Sequence, residues 1–238
     1  MARGKTLLSL LDDLRAEIRV SLNPAHNAQV RETQVKNLQR VQDWLYEDFD
    51  WPHLRIERLV AVQAGQRFLD VPPDLDLERI LDIQVRYGTD WCRLVSGIGP
   101  AEYACYDSEL GETSYPVRRW RIYEGERLEL WPVPADATNS TSFDGQIKVA
   151  GIKRLSRLVD DDDRADLDNR LIVLYAAAEM LAASGAKDAK LKLDQAAQRY
   201  ASLRADLTPR RVTKMFGEEP RGNGLRGMPR VHYRIVQP

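Results

Sequence analysis

The chain has 238 residues, 43% hydrophobic and 30% charged, which is enough for one ordinary core or two small ones and reads as a soluble globular protein. Its longest apolar runs, such as Leu171 to Tyr175, fall far short of the roughly 18 residues of a membrane span, and the N-terminus has no signal-peptide hydrophobic region, so no membrane is expected and the cytoplasm is the expected place of synthesis. Two cysteines, Cys92 and Cys105, are too few for a disulfide framework and lack CxxC spacing; each reads as a small buried hydrophobe.

The first predicted helix carries Leu7, Leu11, Leu14, Ile18 and Leu22 at three- and four-residue steps, with Asp12, Asp13, Arg15, Glu17 and Arg19 on its other faces. Asn23-Pro24 breaks it, because proline removes a backbone donor and disfavours helix at the residue before it. A second helix carries Val30, Leu38, Val41, Trp44 and Leu45, ends near Asp50-Trp51-Pro52, and should pair with the first as a hairpin.

The hydrophobic period then changes from 3.6 to 2, in Ile56 to Val62, Ile80 to Tyr87, Trp120 to Tyr123, Arg127 to Trp131 and Gln146 to Ala150. These predict antiparallel strands forming a small β-sandwich or curled sheet. Glu124-Gly125 and Gly88-Thr89-Asp90 supply hairpin turns, while Pro72-Pro73, Pro132 and Pro134 end strands. Tyr103, Cys105 and Tyr106 fall on a short helix or irregular connection. The five tryptophans fit core or interface packing better than ligand stacking.

Asp160 to Asp163, Asp166 and Asp168 form an acidic cluster, but it lacks the alternating ligands, turn glycine and distal Glu of a calcium loop. Carboxylates just before a helix favour its positive end, so the expected role is capping. The third helix carries Leu167, Leu171, Leu174, Ala178 and Leu181 up to Ser184-Gly185. The fourth runs from about Ala186 through Leu193, Ala197, Tyr200 and Leu203 to Thr208-Pro209. Alanines on both permit close approach, so the two ends of the chain can form a four-helix bundle.

The expected class is α+β: a bundle from residues 1–54 and 156–206, an inserted antiparallel β-domain over 55–155, and an extended basic arm over 207–238. From Leu207 onward seven basic residues face two acidic ones, so the arm carries +5 and the rest −6 of the net −1. Arg210, Arg211, Lys214, Arg221, Arg226 and Arg230 supply cations, and Met215, Phe216, Leu225, Met228, Tyr233 and Ile235 supply apolar anchors with no periodic core of their own. These are the candidate partner-binding residues. Val231, Tyr233 and Ile235 alternate with His232 and Arg234, a pattern suited to adding a strand to another subunit's sheet. A fold-back of the arm onto its own bundle is the competing reading.

Motifs for phosphate, dinucleotide, zinc-protease and serine-hydrolase chemistry are missing, and His26, His53 and His232 lack ligand spacing. No catalytic residue, metal or cofactor is nominated, and an enzyme is not expected.

Several fragments occur in the order of a known family: Asp43-Trp44-Leu45 with Trp51-Pro52; Phe68-Leu69-Asp70-Val71-Pro72-Pro73-Asp74 leading to Ile80-Leu81-Asp82-Ile83; Tyr115-Pro116 ahead of Tyr123; Leu128-Glu129-Leu130-Trp131-Pro132-Val133-Pro134; and the acidic approach to an alanine-rich helix. Over roughly residues 5–206 the chain resembles the head-to-tail adaptors of tailed bacteriophages, the family that includes tail tubular protein A and the connector proteins beneath the portal. The resemblance implies a virion protein at the head-tail junction, a ring of twelve identical subunits bound to the portal protein above and to a tail or nozzle protein below. DNA would pass through the lumen without sequence recognition. It further implies that the arm inserts into portal subunits. A tail-completion or terminator protein at another junction, and a nucleic-acid-binding protein that uses the basic arm on phosphates, are the alternatives.

Overall fold

The computed structural model describes residues 3–27, 29–107 and 110–208. Helix α1 spans Leu7–Glu17, capped by Thr6, whose hydroxyl accepts from the Ser9 N–H, and it buries Leu7, Leu10, Leu11 and Leu14. It ends well before Pro24. Arg19 takes a left-handed φ of 60°, which stops the helix and leaves Val20 and Leu22 exposed, so Leu22 is not part of the packing stripe. Arg15 also departs from expectation. It is 1% exposed and spends its donors on Gln34 Oε1 and Asp12 Oδ1, both at 3.2 Å, tying α1 to the next helix.

Helix α2 spans Arg31–Asp48 and buries Val35, Leu38, Val41 and Leu45; Val30 and Trp44 lie outside that stripe, 42% and 43% exposed. A short helix α3, Pro100–Tyr103, precedes the turn that holds Cys105 and Tyr106. Helix α4, Asn169–Ala183, is apolar on nearly every side and lies at the centre, touching α1 and α2 as well as helix α5, Ala189–Leu207. Gly185 follows α4 at φ 70°, the left-handed position that glycine tolerates without a Cβ clash. Helix α5 buries Ala196, Tyr200 and Leu203, whereas Leu193 and Ala197 face outward. Residues of α1, α2, α4 and α5 share one hydrophobic cluster, joined by Trp51, Leu54 and Ile152.

Eight strands follow in chain order: β1 Arg55–Val60, β2 Phe68–Asp70, β3 Leu75–Tyr87, β4 Asp90–Arg93, β5 Val95–Ser96, β6 Arg119–Tyr123, β7 Arg127–Trp131 and β8 Ile147–Lys153. They form two four-stranded sheets among the described residues, ordered β1-β8-β3-β4 and β2-β7-β6-β5. Every pairing is antiparallel except β5 with β6, where Val95 and Ser96 lie parallel to Arg119 and Trp120. This corrects the all-antiparallel expectation: β5 is two residues long and is reached through a connection too long for a hairpin. Both sheets feed one core, with Ile83, Val85, Ile147 and Val149 from the first and Leu69, Trp120, Leu128 and Leu130 from the second. The architecture is therefore mixed α+β, with five α-helices and two largely antiparallel sheets among the described residues.

The β-rich part is pinned to the helices. Tyr46 donates to Asp76 Oδ2 at 2.8 Å and to the Lys153 carbonyl at 3.2 Å, Arg79 reaches Asp50 and stacks 4.5 Å over the Tyr46 ring, and Ile152 sits fully buried in the helical cluster. Gly151 beside it permits this seam, since a Cβ there would meet the Arg79 carbonyl and Leu75 at 3.2 Å. Cysteine burial is lower than expected: Cys92 is half-buried and Cys105 exposed, and both are free thiols.

Candidate functional site

All twelve nominated arm residues, Arg210, Arg211, Lys214, Met215, Phe216, Arg221, Leu225, Arg226, Met228, Arg230, Tyr233 and Ile235, lie outside the described residues, as does His232. The root of the arm is described. Leu207 packs partly against the helical cluster, Arg204 stacks 5.4 Å over Phe49 and 5.3 Å over Tyr200, and Tyr200 donates to Asp48. Burial and this hydrogen bond push the Tyr200 hydroxyl up to about 12. The chain thus leaves the helices beside the C-terminal end of α2.

The acidic cluster is structural wherever its partners are seen. Asp168 is fully buried, caps α4 by accepting the Leu171 N–H at 3.0 Å, and holds the Arg199 guanidinium through both oxygens at 2.8 and 2.7 Å. Asp163 accepts the Asp160 and Val159 N–H groups at 2.6 and 2.7 Å, which hold its carboxyl below the usual range. Asp166 accepts the Ser156 N–H at 2.8 Å and pairs with Lys153 at 3.0 Å; its carboxyl also stays low despite burial. His53 is half-buried, with Nε2 on the Asp166 carbonyl at 3.0 Å, and burial lowers its pKa. His26 is exposed.

Three surface features were not visible in the sequence. On the outer face of the second sheet, Glu129 is fully buried between Arg67 at 2.7 Å and Arg121, with the Tyr103 hydroxyl at 2.9 Å. Burial alone would raise the Glu129 carboxyl, but the hydrogen bonds from Arg121, Arg67 and Tyr103 outweigh it and hold the pKa below the ordinary value. Arg67 also stacks on Phe68, Tyr103 and Trp131, so this centre clamps α3 onto the sheet. Alternation placed Glu129 on a strand, but only the α3 connection folding across it makes that position a core.

A second feature is an aromatic face at which exposed Trp44 meets Tyr175 edge-on at 5.1 Å and Tyr200 at 6.2 Å, with Leu193 exposed on the same helix as Tyr200. The third is a cleft of about 520 Å³ between α2 and residues 154–159. Gln39 and Gln42 bridge its floor by donating to the Leu158 and Ser156 carbonyls at 2.6 and 2.9 Å. No helix among the described residues is long and apolar enough to cross a membrane.

A helical core pinned to a two-sheet module, with the buried Glu129, Asp166 and Asp168 clusters spent on holding elements together, is the build of a structural scaffold. The family model for the SU10 adaptor protein matches residues 5–220, and the chain belongs to that family. It is a bacteriophage adaptor protein with a structural role in the virion, where it meets other head or tail components. No curated protein matches it.

Proposed function

We propose that the protein is a head-to-tail adaptor: identical subunits, twelve by the resemblance to such adaptors, form a ring that joins the portal to a tail or nozzle protein and leaves a lumen for DNA during packaging and ejection. The observation that carries this reading is the family match over residues 5–220, which takes in the helical core, both sheets and nearly half of the arm. In this reading α1, α2, α4 and α5 act as a four-helix bundle that packs side by side, the β-domain inserted over 55–155 presents the tail-facing surface, and residues 207–238 anchor the ring to the portal. Arg210, Arg211, Lys214, Met215 and Phe216 fall within the matched stretch, and the remaining anchors follow it. No catalytic step is part of the role.

Repetition strengthens such an attachment, because each further arm binds at high effective concentration once the first is seated. The test is a chain ended at Thr208, mixed with purified portal and imaged by electron microscopy. Full-length chain should form portal-capped rings and the shortened one should not. Undiminished portal binding by the shortened chain would refute the arm, and binding that depends on DNA rather than portal would favour the nucleic-acid alternative.

A further inference from the structure

The far end of the β-rich part carries an aromatic and cationic cluster that internal packing leaves incomplete. Ile152 of β8 lies in the helical cluster, whereas Ile147, roughly 17 Å away along the same strand, pairs with Val85 close to the β3-β4 turn. At that turn Arg86 and Trp91 are register partners on the outer face of the first sheet, and Tyr87 next to them is 51% exposed. The Arg86 guanidinium lies 6.0 Å from the Trp91 ring and 5.9 Å from the Phe143 ring, and the Lys148 ammonium lies 4.4 Å from Trp91. Lys148 already pairs with Glu57 at 3.6 Å. Arg86 donates from Nε to the Gly88 carbonyl at 3.4 Å and forms no ion pair among the described residues. Phe143 is the unusual member. Its φ of 57° is a left-handed conformation that a Cβ disfavours and that glycine, asparagine or aspartate normally fills. The turn is nevertheless fixed, since the Phe143 N–H donates to the Asn139 carbonyl at 2.8 Å, Asn139 Oδ1 accepts the Thr141 and Ser142 N–H groups at 2.8 and 3.0 Å, and the Gly145 N–H donates to the Arg86 carbonyl at 2.9 Å. A ring held there at 48% exposure gains little from burial; what it does is wall in Arg86, orienting a guanidinium that has no carboxylate to receive it.

We propose that this tip is a docking surface for an acidic, apolar segment of another protein, with a carboxylate taken by the Arg86 guanidinium and an apolar side chain packed on Phe143 and Tyr87. Tryptophan, tyrosine and arginine gathered in one patch are the residue types that carry most binding energy at protein interfaces, and an oriented guanidinium suits two-pronged recognition of a carboxylate. The surrounding charge selects the partner. Asp90 at the turn, Asp144 on the Gly88 N–H and Glu57 on Lys148 flank the two cations. A segment with one or two carboxylates is matched by that balance, whereas a nucleic-acid strand, charged at every phosphate, is repelled by the flanking carboxylates. The identity of the partner as the tail or nozzle protein rests on the adaptor reading, in which the β-domain faces the tail; the chemistry of the surface does not.

A labelled random copolymer of glutamate and tyrosine is the probe, titrated with the full chain and read by fluorescence anisotropy. The unaltered chain should bind it more tightly than it binds a thymidine oligonucleotide of equal charge. Phe143→Asn should weaken copolymer binding about tenfold, the loss expected for one aromatic anchor, and should leave the urea midpoint unchanged or higher, because asparagine suits the left-handed turn. Arg86→Gln should weaken binding about tenfold as well and flatten its dependence on salt. Portal-capped rings of the Phe143→Asn chain should form normally and fail to join purified tails. Failure of the adaptor reading would instead remove the rings and leave the copolymer result standing, so the two are told apart. No copolymer binding by the unaltered chain, equal binding by the variants, tighter binding of the oligonucleotide, self-association that the substitutions abolish, or normal tail joining by the Phe143→Asn rings would each overturn the proposal. So would a lowered urea midpoint for Phe143→Asn, which would make the ring a structural group.

Discussion

Asp168 is the position whose removal should weaken the helical core most sharply through a single polar group. Its carboxylate is fully buried, caps the first turn of α4 and takes two hydrogen bonds from Arg199, which is itself 30% exposed. Asp168→Ala loses the cap, worth about 1 kcal/mol. It also strands the Arg199 guanidinium. Breaking a fully buried pair costs about 3–5 kcal/mol, but the part-exposed arginine can recover water, so roughly 1.5–2.5 kcal/mol is the fitting share. The expected total is about 3 kcal/mol. Asp168→Asn keeps an acceptor for Leu171 and should lose only about half as much. Urea unfolding followed by tryptophan fluorescence is the assay, since Trp51 is wholly buried in the same cluster. A double-mutant cycle with Arg199→Ala should return a coupling of about 1–2 kcal/mol. A loss under about 1 kcal/mol for Asp168→Ala, with an unchanged urea slope, would show that the capping and pairing roles drawn from this geometry are wrong.

Glu129→Gln should destabilise the sheets by about 1.5–3 kcal/mol, because charge-assisted bonds from two arginines become neutral ones. Since the Glu129 carboxyl lies below its ordinary value of 4.5 when folded, its stabilisation is present above that value and is lost as pH falls through the folded pKa; an acid-unfolding series should show this loss in the parent and not in the Gln variant. Burial lowers the His53 pKa from 6.5, so the unfolded chain takes up a proton first and stability should begin to fall as pH drops below about 6.5; thermal melts of His53→Gln should lack that slope. Gly151→Ala should cost about 1–3 kcal/mol by driving a methyl against the Arg79 carbonyl and Leu75, measured as a shift in urea midpoint, and an unchanged midpoint would mean that the seam yields freely.

Periodicity alone was enough to separate helical from strand-bearing stretches, because a 3.6-residue stripe and a two-residue alternation are local properties of the chain. Leu7, Leu11 and Leu14 and Arg127 to Trp131 were legible in this way, while the Glu124-Gly125 turn was legible from its glycine and the capping role of Asp168 from a carboxylate placed just ahead of a helix. The stripe over α1 ran too far because nothing local announces that Arg19 turns left-handed. Strands of two to four residues such as β2, β4 and β5 are too short to display a period at all.

What the sequence by itself determined was the order of elements, the sign of each segment's charge and the family's outline, since these need only neighbours along the chain. The tertiary structure decided which side chains became interior: Arg15 went inward because Gln34 and Asp12 use its donors, Glu129 because Arg67, Arg121 and Tyr103 converge on it, and Leu193 outward because Ala196 and Tyr200 took the packing face. It alone also set the acidic end of α2 beside the root of the arm. Burial and pairing depend on groups far apart in the chain, and no local pattern encodes which of them will meet.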